Sequence, residues 1–153
     1  MAFLSSINIV GSGITAQQLR LDVVSENIVN INTTRTEAGG AYRRKMVVFQ
    51  AEDGRNSFRN IMAAAQNGLV SNTGYNRTAG VKVTEIVEDQ SDFKLKYDPT
   101  DPDANEEGYV ELPNVDLVKE ITDGMAASQA YSANVTAFNL LKSVISKGME
   151  IGK

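Results

Sequence analysis

Ile7-Asn8-Ile9-Val10-Gly11-Ser12-Gly13-Ile14-Thr15-Ala16-Gln17-Gln18-Leu19-Arg20-Leu21 decides how the beginning of this chain is read. Through it and outward on both sides, Phe3, Ile7, Val10, Ile14, Gln17, Leu21, Val24, Ile28 and Ile31 alternate at spacings of four and three, with Gln17 the one polar member. A seam repeating every 3.5 residues predicts a helix that wants a partner along its whole length. The same register returns at the other end of the 153 residues, less purely, in Leu117, Ile121, Gly124, Ser128, Tyr131, Val135, Phe138, Lys142, Ile145 and Met149. Two such seams, one at each terminus, predict a chain that is bundled by its ends, which points to assembly and away from catalysis.

The same stretch has a competing reading. Ile7 to Val10 resembles a strand, and Gly11-Ser12-Gly13-Ile14-Thr15-Ala16 then spells G-x-G-x-x-A, the fingerprint of a dinucleotide-binding turn. Against it, the period runs unbroken through the glycines, where a strand-turn-helix would interrupt it. Asp22 and Glu26 come too early for the ribose-binding acid, and no second βαβ unit follows. The small residues are better explained as a place where another backbone approaches closely.

Outward from the first helix, Asn30-Ile31-Asn32-Thr33-Thr34 competes for backbone hydrogen bonds and ends it. Gly39-Gly40 marks a turn, and Arg43 to Phe49 predicts a strand. Residues 52–80 are rich in Asn, Gly, Ser and Ala and predict a long loop with a helical turn near Ile61, in which Ile61, Met62, Leu69, Val70 and Tyr75 could dock on a neighbour. Val81 to Val83 and Phe93 to Tyr97 alternate as half-buried strands do. Two prolines, Pro99 and Pro102, keep the next segment irregular before Tyr109 to Leu112. Asn114 is the expected cap of the last helix, with Asp116 in its first turn. The predicted fold is mainly α with a small β-rich insert, its N- and C-terminal helices forming a coiled-coil-like pair. Its parts are an N-terminal assembly helix (1–34), the insert (35–112, containing the loop 52–80) and a C-terminal assembly helix (113–153).

Composition excludes several functions. With no Cys and no His there is no thiol nucleophile, no Ser-His-Asp triad and no zinc held by those ligands. Asp101-x-Asp103-x-Asn105 begins like a calcium loop, but Glu106 occupies the glycine position and Leu112 the position of the closing glutamate. Neither catalytic residues, nor a cofactor, nor a metal is expected. Net charge is −4, with twelve acidic residues between Glu85 and Glu120, which makes a poor nucleic-acid binder. No apolar run is long enough to span a membrane, and Met1-Ala2-Phe3-Leu4 lacks the basic region of a cleavable signal. Burying one narrow seam roughly offsets the entropy of ordering its backbone, so the termini are expected to fold on assembly. Ala127, Ala130, Ala137, Leu141 and Val144 supply a second face of the last helix for that purpose.

Specific strings carry a resemblance. Ser25-Glu26-Asn27-Ile28-Val29-Asn30 followed by Thr33-Thr34-Arg35-Thr36 resembles the N-terminal signature of bacterial flagellar rod and hook proteins, with Val29 where the pattern usually has alanine. Tyr42-Arg43-Arg44-Lys45, Tyr97-Asp98-Pro99, Pro113-Asn114, the run Tyr131-Ser132-Ala133-Asn134 to Asn139, and the closing Ile151-Gly152-Lys153 are similar to the proximal-rod members of that family. The resemblance implies a structural subunit of the proximal rod, the drive shaft that crosses the periplasm and transmits torque. It implies assembly through the terminal helices with other copies and other proximal-rod proteins. It also implies export through the flagellar type III apparatus without a cleaved signal peptide. The alternative left by the residues alone is a soluble coiled-coil adaptor of fixed oligomeric size.

Overall fold

The computed structural model describes residues 2–37, 39–53 and 78–151. Helix α1 spans Ala2–Val29, strands β1 and β2 span Lys45–Asp53 and Thr78–Glu88, β3 and β4 span Lys94–Tyr97 and Tyr109–Leu112, and helix α2 spans Leu117–Ile151. The chain is therefore mainly helical, with two long helices flanking a small antiparallel β insert. The expected helical turn near Ile61, the five apolar residues from Ile61 to Tyr75 and the closing Gly152-Lys153 lie outside the described residues.

α1 runs without a break through Gly11-Ser12-Gly13, which rules out a strand-turn-helix and with it the dinucleotide reading. The small residues serve close approach instead. Gly80 of β2 has φ +120°, and any Cβ there would collide with the Ser12 side chain, while the Ser12 hydroxyl accepts the Val81 N–H at 3.0 Å. On another face of α1, a Cβ on Gly13 would come within 3.0 Å of the Asn134 side chain of α2. α1 ends where Asn30 folds its own amide back onto the Glu26 carbonyl at 2.9 Å. A tight loop follows, closed by Tyr42 N–H to the Thr33 carbonyl and turned by Gly39 and Gly40 at φ +86° and +79°.

β1 and β2 pair antiparallel with Lys45 opposite Glu88 and Phe49 opposite Val83, and a bulge falls between Val48 and Phe49. β3 and β4 form a separate ribbon with Tyr97 opposite Tyr109, their rings edge-to-face at 5.2 Å. The alternation in Phe93 to Tyr97 suggested a half-buried strand, but β3 is exposed along its length, because the ribbon has one partner strand and its aromatic pair packs on itself. Gly108, at φ +82°, lies where a side chain would meet the Tyr97 ring and Pro99.

The N-cap of α2 is Asp116 rather than Asn114: Asp116 Oδ1 accepts the Val118 N–H at 3.0 Å. Asn114 is drawn away by contacts described below. The helices pack antiparallel, Asn27 beside Glu120, Val24 against Gly124 and Gly13 beside Asn134. On α2 the buried or half-buried stripe facing α1 is Glu120, Gly124, Ala127, Tyr131, Asn134, Phe138, Leu141 and Ile145. It shares alternate positions with the 117–149 seam and otherwise runs one residue earlier. Leu117, Ile121 and Met149 are consequently exposed in the single chain. Most of the buried core sits at one end of the pair, the neck, in Val23, Val24, Ala41, Tyr42, Val110, Val115 and Ala127, with Ala16 buried farther along α1.

Candidate functional site

The neck joins α1, α2 and the β1–β2 ribbon through one saturated polar clasp. Asn27, buried on α1, is its centre. Its Oδ1 accepts from the Tyr42 hydroxyl at 3.0 Å and from Lys45 N–H at 2.9 Å. Its Nδ2 donates to the Lys45 carbonyl at 2.9 Å and to Glu120 Oε2 at 3.0 Å. Two donors and two lone pairs are all an asparagine amide has, and all are used. A carboxylate here would lose both donors and face Glu120 as a like charge.

Glu120 is wholly buried in α2 and would be costly there without a partner. Arg44 supplies it, donating from Nε to Glu120 Oε1 at 2.5 Å. The same guanidinium reaches Asp123 at 3.2 Å and Asp89 at 3.8 Å, and Arg20 of α1 shares Asp123 at 3.4 Å. Lys45 also pairs with Glu26. Arg44 thus ties the start of β1 to the first turns of α2. Its backbone N–H donates to Asn114 Oδ1 at 2.8 Å, and the Asn114 amide donates to the Asp89 carbonyl and the Ser91 hydroxyl. Asn114 therefore stitches the β1–β2 ribbon to the approach of α2, beside the buried Pro113.

Electrostatics follow from the packing. Burial, with Glu26, Glu120 and Glu88 nearby, pushes the Tyr42 phenol up to about 12, so it remains a neutral donor. The Ser91 backbone and side-chain donors hold the Asp89 carboxyl below its usual range, Arg44 adding to them. Beside Arg44, a cleft of about 310 Å³ is lined by Arg20, Val23, Val24, Met46, Phe49 and Asp123 among others.

The sequence-singled residues fall into distinct places. Asn27, Tyr42 and Asn114 meet in the clasp, and Arg43 packs its guanidinium 4.3 Å over the Phe93 ring and donates to the Asp89 carbonyl. Asn30 and Thr33 build the turn after α1, and Thr36 closes onto the Gly40 carbonyl. Thr34 and Arg35 meet Asp103 of the 98–108 loop, at 2.8 Å and 3.8 Å. Tyr97 and Pro99 shape that loop around Gly108, and Asn134 packs by Gly13. Ser25 and Asn139 stay on exposed surface. Of the N-terminal seam, Val24 is buried against α2 and Ile7, Val10, Ile14, Leu21, Ile28 and Ile31 are half-buried. Tyr131, Val135, Phe138 and Ile145 are half-buried on α2.

Sequence reasoning overlooked Glu120, Asp89 and Asp123 as site residues and the contacts that Arg44 and Lys45 make. One signal for them was available: Glu120 is the one charged residue on the register of Gly124, Ala127, Tyr131, Asn134 and Phe138, and an Arg-Arg-Lys run earlier in the chain could pair with it.

Two family models match the two helical regions that the clasp joins. Residues 7–35 match the flagella basal body rod protein model and residues 106–150 the C-terminal model of the flagellar basal body rod FlgEFG proteins. The chain is 48% identical to the flagellar basal-body rod protein FlgC of Bacillus subtilis, covering all of both chains. It is 42% identical to that of Borreliella burgdorferi, over 99% of this chain and 98% of the relative, and 38% identical to that of Escherichia coli over the whole of both.

The chain belongs to the FlgC family of flagellar basal-body rod proteins.

It is a structural rod subunit of the bacterial flagellar basal body. Membership of the FlgC family gives the clasp its meaning. The Asn27, Tyr42 and Asn114 strings that carry the resemblance are the ones that lock the helices to the insert. Among the described residues no helix is long and apolar enough to cross a membrane.

Proposed function

We propose that this subunit belongs to the proximal rod, where α1 and α2 pack among the helices of other copies and of other proximal-rod proteins while the β insert stays outside them. The clasp then carries torque between insert and helical layer. The subunit is exported through the flagellar type III apparatus without a cleaved signal and works in the part of the rod that crosses the periplasm. It carries no catalytic activity.

One observation supports this reading above others: on the side turned away from α1, α2 exposes large apolar side chains among uncharged Thr122, Gln129, Ser132 and Thr136. Val118, Met125 and Leu140 are 73%, 69% and 66% exposed, with Ile121 and Val144 beside them. Large apolar side chains exposed opposite the partner helix, with no charged residue from 124 to 141, suit a helix covered by neighbours on that side. In this division of labour 1–34 and 113–153 are the assembly segments and 35–112 the insert. The half-buried seam residues Ile14, Leu21, Ile28, Ile31, Val135 and Ile145 contribute to contacts between subunits.

The test is Met125→Asp or Leu140→Asp. A carboxylate enclosed in a helical layer costs several kcal/mol, whereas on the surface of the free chain it costs little. The variants are expected to be exported and to melt like the parent chain, yet to leave basal bodies without a complete rod by electron microscopy. Normal rods from both variants would overturn the reading.

A further inference from the structure

The Asp, Glu, Lys and Arg side chains of the paired helices are confined to two levels. Residues 2–19 of α1 and 124–141 of α2 carry none. At the neck stand Arg20, Asp22, Glu26, Lys119, Glu120 and Asp123, and at the far end Lys142, Lys147 and Glu150. Most neck charges are engaged within the chain: Arg20 with Asp123, Arg44 with Glu120, Lys45 with Glu26. Asp22, Lys119, Lys142, Lys147 and Glu150 are not, and of these Asp22 is the one on α1 and Lys142 the one that lines a groove. Both are exposed, and neither has an ion-pair partner among the described residues. Lys142 also edges an apolar groove of about 210 Å³ formed by Ile7, Phe138, Ile145 and Met149.

We propose that Asp22 of one copy docks beside Lys142 of a second copy, the two displaced along their common helical axis by about 26 Å. This rests on the rod-subunit reading above. An uncharged shaft can be covered by a neighbour without desolvating charge, but a neighbour whose charged level falls against the middle of the shaft buries charges with no counterpart, at a cost of several kcal/mol. Opposite free charges at the two ends of the shaft make one displacement favourable. Its size follows from the pairing of the helices. Gly13 lies beside Asn134 and Asn27 beside Glu120, so Lys142 stands level with about residue 5, and the rise from there to Asp22 is about 26 Å at 1.5 Å per residue. When the copies point the same way, α1 of one runs antiparallel to α2 of the other. Asp22 against Lys142 then brings Leu19, one turn away, against Ile145 and into the groove.

The chain contains no cysteine, which makes cross-linking selective. A D22C chain and a K142C chain are co-expressed in place of the natural protein, and purified basal bodies are oxidised. The expected result is a disulfide-linked species of twice the 16.6 kDa chain mass. D22C paired with S132C, which stands at mid-shaft, should give none. Charge exchange is the second arm: D22K and K142D are each expected to impair motility, and the two together to restore it. Three results overturn the docking alone: a link only at S132C, a link only to a protein of different mass, or both chains present in rods without a link. If the unsubstituted chain is itself absent from rods, the rod-subunit reading fails with it.

Discussion

Asn27 on α1 and Glu120 on α2 share a 3.0 Å hydrogen bond in which neither residue is reached by solvent. Among the described residues they are the one place where the two helices, far apart in the chain, are joined by a hydrogen bond between buried side chains. Burial makes the bond consequential, because each side chain left alone would keep unsatisfied polar atoms or an uncompensated charge.

Glu120→Ala is therefore expected to leave one buried Asn27 donor unpaired and Arg44 with only Asp123 and Asp89, and to cost about 2–3 kcal/mol. Asp123→Ala, at the half-exposed edge of the same cluster, should cost about 1 kcal/mol or less. Chemical denaturation of the two variants checks the order. Equal losses would mean that the buried bond is no more important than its rim.

The alkaline limb of stability should report Tyr42. With its folded value raised to about 12 from 10, Tyr42 contributes stability that is fully present below pH 10 and is lost as pH rises toward 12, since the unfolded chain releases the proton first. The slope due to this group is at most about 1.4 kcal/mol per pH unit. Tyr42→Phe should flatten the limb between pH 10 and 12 in urea titrations, and an unchanged slope would contradict the assignment.

Gly80→Ala places a side chain both at φ +120° and against Ser12. A cost of about 1–3 kcal/mol is expected, with the β1–β2 ribbon loosening from α1. Calorimetry gives the loss. Amide exchange at Val81, whose N–H is held by Ser12, gives its location.

The helical pair should not open uniformly in the free monomer. Shielded residues cluster at the neck, while among the described residues of α2 beyond Ala127 none is buried. Amide exchange should show residues 20–29 and 117–127 well protected, and residues 5–12 and 135–150 close to unprotected. Free-chain termini that are unprotected throughout, as the narrow seam alone suggests, would contradict a clasp that forms before assembly.

Much was legible in the sequence because it depends on period and composition. The 4-3 spacing of Ile7, Val10, Ile14 and Leu21 is a property of the chain itself, and it persists through Gly11 and Gly13 because helical spacing needs no tertiary information. Strand β1 and the turn at Gly39-Gly40 were legible for the same local reason. The rotation of α2 was not. Whether Ile121 or Glu120 faces α1 is decided by the partner: Val24 packs against Gly124, Ala127 is fully enclosed, and Arg44 waits beside Glu120 to neutralise it. Asn114 reads as a helix cap until Arg44 and Ser91 arrive from the β ribbon to claim its side chain, leaving Asp116 to cap α2. The sequence by itself determined two helices around a β insert, since backbone preference and apolar spacing are local. Only the tertiary structure decided which faces meet and which charges are buried, because a carboxylate such as Glu120 enters a core only where distant parts of the chain bring its partners.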